Sequence, residues 1–157
     1  NRRPVDYSAR ESALASLDEV AAPELLATLE DGRAKLMLTT RLLALRQRHE
    51  TLFRDGDYLP LASSGTKAEH LCAFARQHGS EAVVTVAPGV YGGLLGGEER
   101  LPIGDVWGDT RLELGPLGAE TRWRDLISGR MHAAGETLLL AEALAEFPVA
   151  VLVTEPG

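Results

Sequence analysis

Cysteine is nearly absent from this chain of 157 residues, and its scarcity limits both redox chemistry and metal binding. Cys72 is the only cysteine, so no internal disulfide can form, and a zinc or iron–sulfur site built from thiolates has too few ligands. A chain without disulfides is typical of a reducing compartment. The sequence therefore favours a cytoplasmic location and predicts no metal or other cofactor.

Long hydrophobic runs are also missing, because no stretch approaches the roughly 18 apolar residues that a membrane-spanning helix requires. Hydrophobic residues make up 45% and charged residues 25%, which is ordinary for a globular domain. Positive charge is the smaller share, since 16 Lys and Arg stand against 23 Asp and Glu, for a net charge of −7. Because this charge repels phosphate, nucleic acid and membranes are not expected partners.

The first residues are typical neither of a signal peptide nor of a native N-terminus. Asn1 stands where a start methionine would be, and Arg2 and Arg3 are followed by Pro4 instead of an apolar run. The length suits one well-buried domain, or a compact domain with a helical attachment, but not a full two-domain enzyme. We therefore expect a fragment of a larger protein.

Helical periodicity fills the first third of the sequence. A capping box that begins at Ser8 predicts a first helix to about Ala21, and Pro23 suits the first turn of a second helix that Gly32 would end. A third helix, residues 34–49, has an apolar face that is wide for its length. The apolar residues are Leu36, Met37, Leu38, Leu42, Leu43 and Leu45. So wide a face predicts packing against a larger partner that this chain lacks.

Alternation replaces helical periodicity after residues 53–58. Residues 70–75 alternate, and the apolar run 82–86 follows Gly79, which predicts a hairpin whose second strand is covered on both faces. Many glycines in residues 88–109 indicate a long loop. Further strands are expected at 110–114, 122–127, 136–140 and 149–154. The sequence thus predicts an α+β chain in which helices precede an antiparallel β-sandwich.

Signals for catalysis are weak. His70 and Cys72 share one expected strand face and could offer two metal ligands, but no third ligand lies at a supporting spacing. The glycine-rich residues 92–97 lack the Lys and Ser or Thr of a phosphate loop. Trp107 and Trp123 could stack against a sugar ring, although aromatic residues in a β-sandwich are usually part of the core.

The opening segment, residues 1–7, concentrates two guanidiniums, a carboxylate and a phenol. It is either a surface loop with an Arg–Asp pair or the rim of an active site. At such a rim an Arg supplies fixed donors to hydroxyls or a carboxylate, and Asp6 orients it. Arg2, Arg3 and Asp6 are therefore the candidate substrate-binding residues.

A series of short motifs is spread over nearly the whole chain, and their combination is more specific than any one of them. They are Asn-Arg-Arg-Pro-Val-Asp-Tyr at 1–7, Glu-Asp-Gly-Arg-Ala-Lys-Leu at 30–36, Leu-Leu-Ala-Leu-Arg at 42–46, Gly-Asp-Tyr-Leu-Pro-Leu at 56–61, Ala-Phe-Ala-Arg at 73–76, Trp-Gly-Asp-Thr at 107–110 and Trp-Arg-Asp-Leu at 123–126. In this order they resemble the C-terminal region of the maltooligosyl trehalose synthases, a family of the α-amylase superfamily of glycoside hydrolases.

The resemblance implies a catalytic eight-stranded β/α barrel followed by an antiparallel β-domain. Residues 1–52 would be the end of the barrel with its last helix, and residues 53–157 the C-terminal domain. The opening segment would lie at the catalytic rim, with Arg2 as the first candidate for a substrate contact, ahead of Arg3 and Asp6. The missing N-terminal barrel would be the partner of the third helix.

The implied activity is that of a (1→4)-α-D-glucan 1-α-D-glucosylmutase. It converts the reducing-end α-1,4 bond of a maltooligosaccharide into an α,α-1,1 bond by intramolecular transglucosylation. The family's catalytic carboxylates would lie upstream of Asn1, so the fragment would hold no catalytic residue and be inactive alone. Three alternatives stay open: a carbohydrate-binding module with Trp107 or Trp123 exposed, a structural β-sandwich module, and the C-terminal part of another α-amylase superfamily enzyme.

Overall fold

The computed structural model describes residues 5–17, 20–90 and 93–155, which contain five α-helices and nine β-strands. The helices are α1 (Tyr7–Ser16), α2 (Ala22–Leu26), α3 (Arg33–Arg48), α4 (Glu50–Asp55) and α5 (Leu140–Ala143). The strands are β1 (Asp57–Pro60), β2 (Ser63–Ser64), β3 (Leu71–His78), β4 (Glu81–Pro88), β5 (Arg111–Glu113), β6 (Trp123–Asp125), β7 (Met131–His132), β8 (Thr137–Leu139) and β9 (Ala150–Thr154). The predicted α+β class is confirmed. Within these ranges no helix has both the length and the apolar character to cross a membrane.

The strands form two antiparallel sheets. The larger has six strands in the order β1-β3-β4-β9-β6-β7, and the smaller has three in the order β2-β5-β8. The hairpin of β3 and β4 is the centre of the larger sheet, with Ala75 opposite Val84. Its turn uses Gly79 at φ +59°, a left-handed conformation that suits glycine. The hairpin expected from the alternation is confirmed.

The larger sheet has a hydrophobic core on each face. Successive side chains of a strand point to opposite faces, and β4 shows the consequence. Val84 packs in one core with Leu112 of the smaller sheet, while Val83 packs in the other with Met37 of α3. Each buried side chain of this size contributes about 1.5–3 kcal/mol. The prediction that this strand is covered on both faces is confirmed.

The first helix begins earlier than its sequence signal indicates. Asp6 is the N-cap of α1, and its carboxylate accepts a hydrogen bond from the backbone N–H of Ala9 at 2.9 Å. Ser8 lies inside the first turn, so the capping box placed there is wrong. The physical reason is that Asp6 already supplies the side-chain acceptor for the third helical amide. The helix also ends at Ser16 instead of continuing to Ala21.

The apolar face of α3 is divided between two environments. Ala34, Met37 and Leu45 are buried in the core that the helices share with the larger sheet. Leu42 and Leu43 stay 39% and 57% exposed. The expectation that the whole face needs a partner outside this chain is therefore wrong for the buried half, because this chain's own sheet covers it.

Short elements surround the point where the sequence changes periodicity. Helix α4 follows α3 after a single non-helical residue, His49. Neither α4 nor the short strands β1, β2 and β7 are predicted from the sequence. Leu52 of α4 is buried in the core that the helices share with the larger sheet. The boundary between residues 52 and 53 lies inside this helix and stays a prediction.

Candidate functional site

The substrate-binding candidates lie at the very start of the chain. Arg2 and Arg3 lie outside the described residues. Asp6 is exposed, and one oxygen of its carboxylate is engaged as the cap of α1. A capping carboxylate keeps a second oxygen that can accept from a ligand. The substrate-binding role of Arg2, Arg3 and Asp6 stays a prediction.

Both indole rings are part of the core. Trp107 is 0% exposed, and its Nε1–H donates to the carbonyl oxygen of Pro102 at 2.9 Å. Trp123 is 1% exposed. A buried ring cannot offer its flat face to a sugar. The exposed indole that the carbohydrate-binding alternative requires is therefore not present at either position.

The Trp-Gly-Asp-Thr motif holds two distant segments together. Oδ1 of Asp109 accepts hydrogen bonds from the backbone N–H of Thr66 at 3.0 Å and from its hydroxyl at 2.8 Å. Thr110 Oγ1 accepts from the backbone N–H of Lys67 at 3.0 Å. The hydrogen bonds from Thr66 hold the pKa of Asp109 below its usual value. The motif thereby connects the segment after β2 to the start of β5.

The Trp-Arg-Asp-Leu motif contains a buried carboxylate with four donors. Asp125 is 1% exposed. It accepts from the backbone N–H of Ile127 at 3.1 Å, from the N–H and the hydroxyl of Ser128 at 3.0 and 2.5 Å, and from the N–H of Val151 at 3.1 Å. These donors occupy both carboxylate oxygens, so Asp125 organises the β6–β7 turn instead of meeting a ligand.

His70 and Cys72 do not form a pair of ligands. His70 lies in a 3₁₀ turn (Ala68–His70) just before β3, not on the strand as expected. Its Nδ1 lies 2.8 Å from the carbonyl oxygen of Val90, and its ring packs so closely on Gly93 that a Cβ there would lie 3.0 Å from Cε1. Cys72 is exposed. The part of the chain that the structure describes contains no group of three His, Cys, Asp or Glu residues that could hold a metal.

An apolar groove of about 610 Å³ lies between α3 and the larger sheet. Leu42 and Leu43 form its helical wall, with Phe53 of α4 beside them. Phe74 and Val83 form part of its floor. We call this cavity the Leu42–Leu43 groove.

Two arginines stand at the border of the Leu42–Leu43 groove. The guanidinium of Arg46 lies 5.9 Å from the ring centroid of Phe53. That of Arg76 lies 5.7 Å from the ring centroid of Tyr58 and donates to the carbonyl oxygen of Gly56 at 2.9 Å. Both are cation–π arrangements. Tyr58 is 55% exposed and continues the apolar surface towards the edge of the sheet.

Comparison with known proteins identifies relatives across nearly the whole chain. Two proteins of Mycobacterium tuberculosis, from the strains CDC 1551 / Oshkosh and ATCC 25618 / H37Rv, carry the name maltooligosyl trehalose synthase. Each is 32% identical to this chain over 155 residues, which is 99% of the chain and 16% of the relative. The solved structure of maltooligosyltrehalose synthase from Arthrobacter ramosus is 30% identical. It matches 99% of this chain and 18% of that protein with a TM-score of 0.74.

The chain thus spans about one sixth of the length of the curated relatives it matches. No family model matches it. Fold and relatives together define a class, the C-terminal part of a larger enzyme, built as an antiparallel β-domain with attached helices. Within that class, the chain corresponds over 99% of its length to a C-terminal part of the maltooligosyl trehalose synthases.

Proposed function

We propose that this chain is the C-terminal part of an enzyme that converts the reducing-end α-1,4 bond of a maltooligosaccharide into an α,α-1,1 bond. The product would end in a trehalose unit. Two observations support this proposal. The chain is 32% identical over 155 residues to proteins named maltooligosyl trehalose synthase, and 99% of it matches the fold of the Arthrobacter ramosus enzyme.

The part played by this chain would be structural support with contacts at the substrate rim. Asp6 caps a helix, Asp109 binds Thr66, and Asp125 is surrounded by four donors. The resemblance to the family implies that the nucleophilic Asp and the acid–base Glu of a retaining mechanism lie in the remaining polypeptide. The chain alone would be inactive, and its single cysteine suits a reducing, cytoplasmic compartment. We propose no cofactor for the reaction.

A chemical assay of the full-length protein tests this activity against that of other α-amylase superfamily members. Intramolecular transglucosylation joins the anomeric carbon of the terminal glucose into a new bond, so maltopentaose would lose its reducing end without release of glucose. A hydrolase would instead create new reducing ends. An increase in reducing ends with maltopentaose would contradict the proposal.

Arg2 is the first candidate for a contact with substrate, and Arg3 and Asp6 follow. The Arg2→Ala variant of the full-length protein should lower kcat/KM about 10- to 100-fold, since a hydrogen bond from a charged group is worth roughly 1.5–3 kcal/mol. Arg10→Ala is the matched control, because Arg10 is an exposed arginine on the solvent side of α1. Equal kcat/KM values for the two variants would show that Arg2 does not contact the substrate.

A further inference from the structure

A cavity of about 270 Å³, lined by polar and charged residues, lies where the smaller sheet meets an edge strand of the larger one. Arg111 of β5 and Leu139 of β8 line it from the smaller sheet, and Met131 and His132 of β7 line it from the larger sheet. We call this cavity the Arg111–His132 pocket. It is separate from the Leu42–Leu43 groove, because the two cavities share no lining residue.

The Arg111–His132 pocket is lined by charges of both signs that do not neutralise one another. Arg111, Arg130 and Glu142 are among its lining residues. Within the part of the chain that the structure describes, neither Arg111 nor Glu142 has an ion-pair partner within 4.0 Å, and Arg130 pairs only with Glu146, at 3.6 Å. Guanidinium groups, which only donate hydrogen bonds, and a carboxylate, which only accepts them, therefore border one cavity.

His132 adds a buried polar atom to this wall. The residue is 7% exposed, and its Nε2 has no hydrogen-bond partner among the described residues. Burial is the main reason that the pKa of His132 lies below its ordinary value. The charge of Arg130 adds to this lowering and that of Glu142 opposes it, so both charges act on the same ring. Because buried polar atoms nearly always have a partner, the unpartnered nitrogen points to a hydrogen-bonding group that enters from outside the chain.

The mixture of charges indicates a neutral ligand that is rich in hydroxyl groups. Glu142 would repel an anion, and Arg111 and Arg130 would repel a cation. An apolar ligand would exclude water from all three charges without replacing the hydrogen bonds that water makes. A hydroxyl group both donates and accepts, so a polyol can donate to the carboxylate and accept from the guanidinium groups at the same time.

The size and the apolar part of the wall favour a sugar ring. A volume of about 270 Å³ lies just below the roughly 300–1,000 Å³ of pockets for drug-sized ligands, so the cavity suits a small ligand. Met131, which is 54% exposed, and Leu139 add apolar surface on which the C–H groups of a sugar can pack.

We propose that the Arg111–His132 pocket binds one glucosyl unit of a maltooligosaccharide. The inference rests on the proposed function for the choice of this polyol, and it goes beyond that function by assigning a glucan-binding site to this chain's own β-domain. Arg111 and Arg130 would donate to the sugar hydroxyls, and Glu142 would accept from them.

Methyl NMR of the full-length protein, labelled with carbon-13 at its methionine methyl groups, tests the proposal. The ligand is methyl α-maltotrioside, whose blocked reducing end prevents the reaction proposed above. The Met131 signal, identified by its loss in Met131→Leu, should shift saturably with a midpoint of about 1 mM, as expected for a small ligand held by a few hydrogen bonds. Met37, which is 1% exposed in the core that the helices share with the larger sheet, should not shift. A Met131 signal that stays unshifted at about ten times this midpoint would overturn the proposal.

Two variants with matched controls test whether the pocket itself binds the sugar. Glu142→Gln and Arg111→Gln should each raise the midpoint of the Met131 titration about tenfold, because each removes a charge-assisted hydrogen bond to the ligand. Glu120→Gln and Arg122→Gln change exposed residues that do not line the pocket, so they should leave the midpoint unchanged. Equal midpoints in all four variants would show that the shift is transmitted from another part of the protein, and they would overturn the proposal.

The outcomes separate this inference from an anion site and from the proposed function. A saturable shift of Met131 with inorganic phosphate, and none with methyl α-maltotrioside, would identify an anion site and overturn the proposal. A pocket that binds the sugar in a full-length protein that creates new reducing ends from maltopentaose would refute the proposed activity and still support the glucan site. An enzyme that consumes the reducing end of maltopentaose while its Met131 signal stays unshifted would refute the glucan site alone.

Discussion

The carboxylate of Asp125 accepts a hydrogen bond from the backbone N–H of Val151 at 3.1 Å, although the two residues are 26 positions apart in sequence. Asp125 ends β6, and its neighbour across the sheet on β9 is Leu152. The same carboxylate also holds the turn that leads into β7. One buried acidic group therefore connects the β6–β7 edge of the larger sheet to the neighbouring strand β9.

Replacing Asp125 by Asn should lower the free energy of unfolding by roughly 2–4 kcal/mol, because the amide turns an NH₂ group towards the donors of Ser128 and removes charge-assisted hydrogen bonds. Urea denaturation measures the change. Asp105→Asn is the control, since Asp105 is exposed, and a surface substitution is usually within about 0.5 kcal/mol. Equal stabilities for the two variants would show that Asp125 has no special structural role.

Gly65→Ala should be among the most destabilising small substitutions in the chain. Gly65 has φ +100°, and a Cβ added there would lie 2.7 Å from Cα of Thr110. The backbone of the Trp-Gly-Asp-Thr motif must move to relieve this contact, so we expect a loss of roughly 2–4 kcal/mol. Gly79→Ala shares the positive φ but meets nothing within 4 Å, and its cost should be only about 1–2 kcal/mol. Thermal unfolding measures the stability of both variants. A larger loss of stability in Gly79→Ala than in Gly65→Ala would contradict this account.

His132 should make the stability of the protein depend on pH. Burial holds the pKa of His132 below its ordinary value of 6.5, with a smaller effect in the same direction from Arg130, while the carboxylates of Asp125 and Glu142 oppose it. The unfolded chain therefore binds a proton at a pH where the folded protein does not. Stability contributed by the neutral ring is present above about pH 6.5 and is lost as the pH falls below that value towards the folded-state pKa.

His132→Gln removes this titration. The stability difference between about pH 7 and pH 5 should consequently be smaller in the variant than in the original chain, as measured by urea denaturation at both pH values. An identical pH dependence in the two proteins would mean that His132 titrates alike in the folded and unfolded states.

Asp6 can be tested as a cap separately from any role in binding. Asp6→Ala removes the acceptor of the Ala9 amide and should lower the free energy of unfolding by about 1 kcal/mol. Asp6→Asn keeps a capping oxygen, so its stability should match that of the original chain. If the full-length Asp6→Asn variant lost kcat/KM while keeping this stability, the charge of Asp6 would have a role in binding beyond the cap.

The sequence predicted those parts of the fold that local periodicity encodes. The β3–β4 hairpin, α3 and the strands near residues 110, 123, 137 and 150 all follow from the spacing of apolar residues. Strands β2 and β7 have only two residues each, too few to show a period of two. Helix α4 was missed because only His49, with φ −117° and ψ 46°, separates it from α3. A single non-helical residue leaves no distinct signal in the sequence.

The site was less predictable, because its determinants are pairings across the chain. The Trp-Gly-Asp-Thr motif is visible in the sequence, but the partner of Asp109 is Thr66, which is 43 residues away. The Leu42–Leu43 groove needs both the helical stripe and the strand register that places Phe74 opposite Thr85. Sequence reasoning found the wide apolar face of α3, yet only packing shows which leucines remain exposed.

The larger sheet has a hydrophobic core on each face, and this determines where the chain can be shortened for expression. Removal of the residues before position 53 would expose Val83, Ile127 and Val151 to solvent, because these side chains are buried against the helices. The sheet would then have a large exposed hydrophobic face, and such a face promotes aggregation. The natural unit of expression is thus the strands together with the helices that precede them.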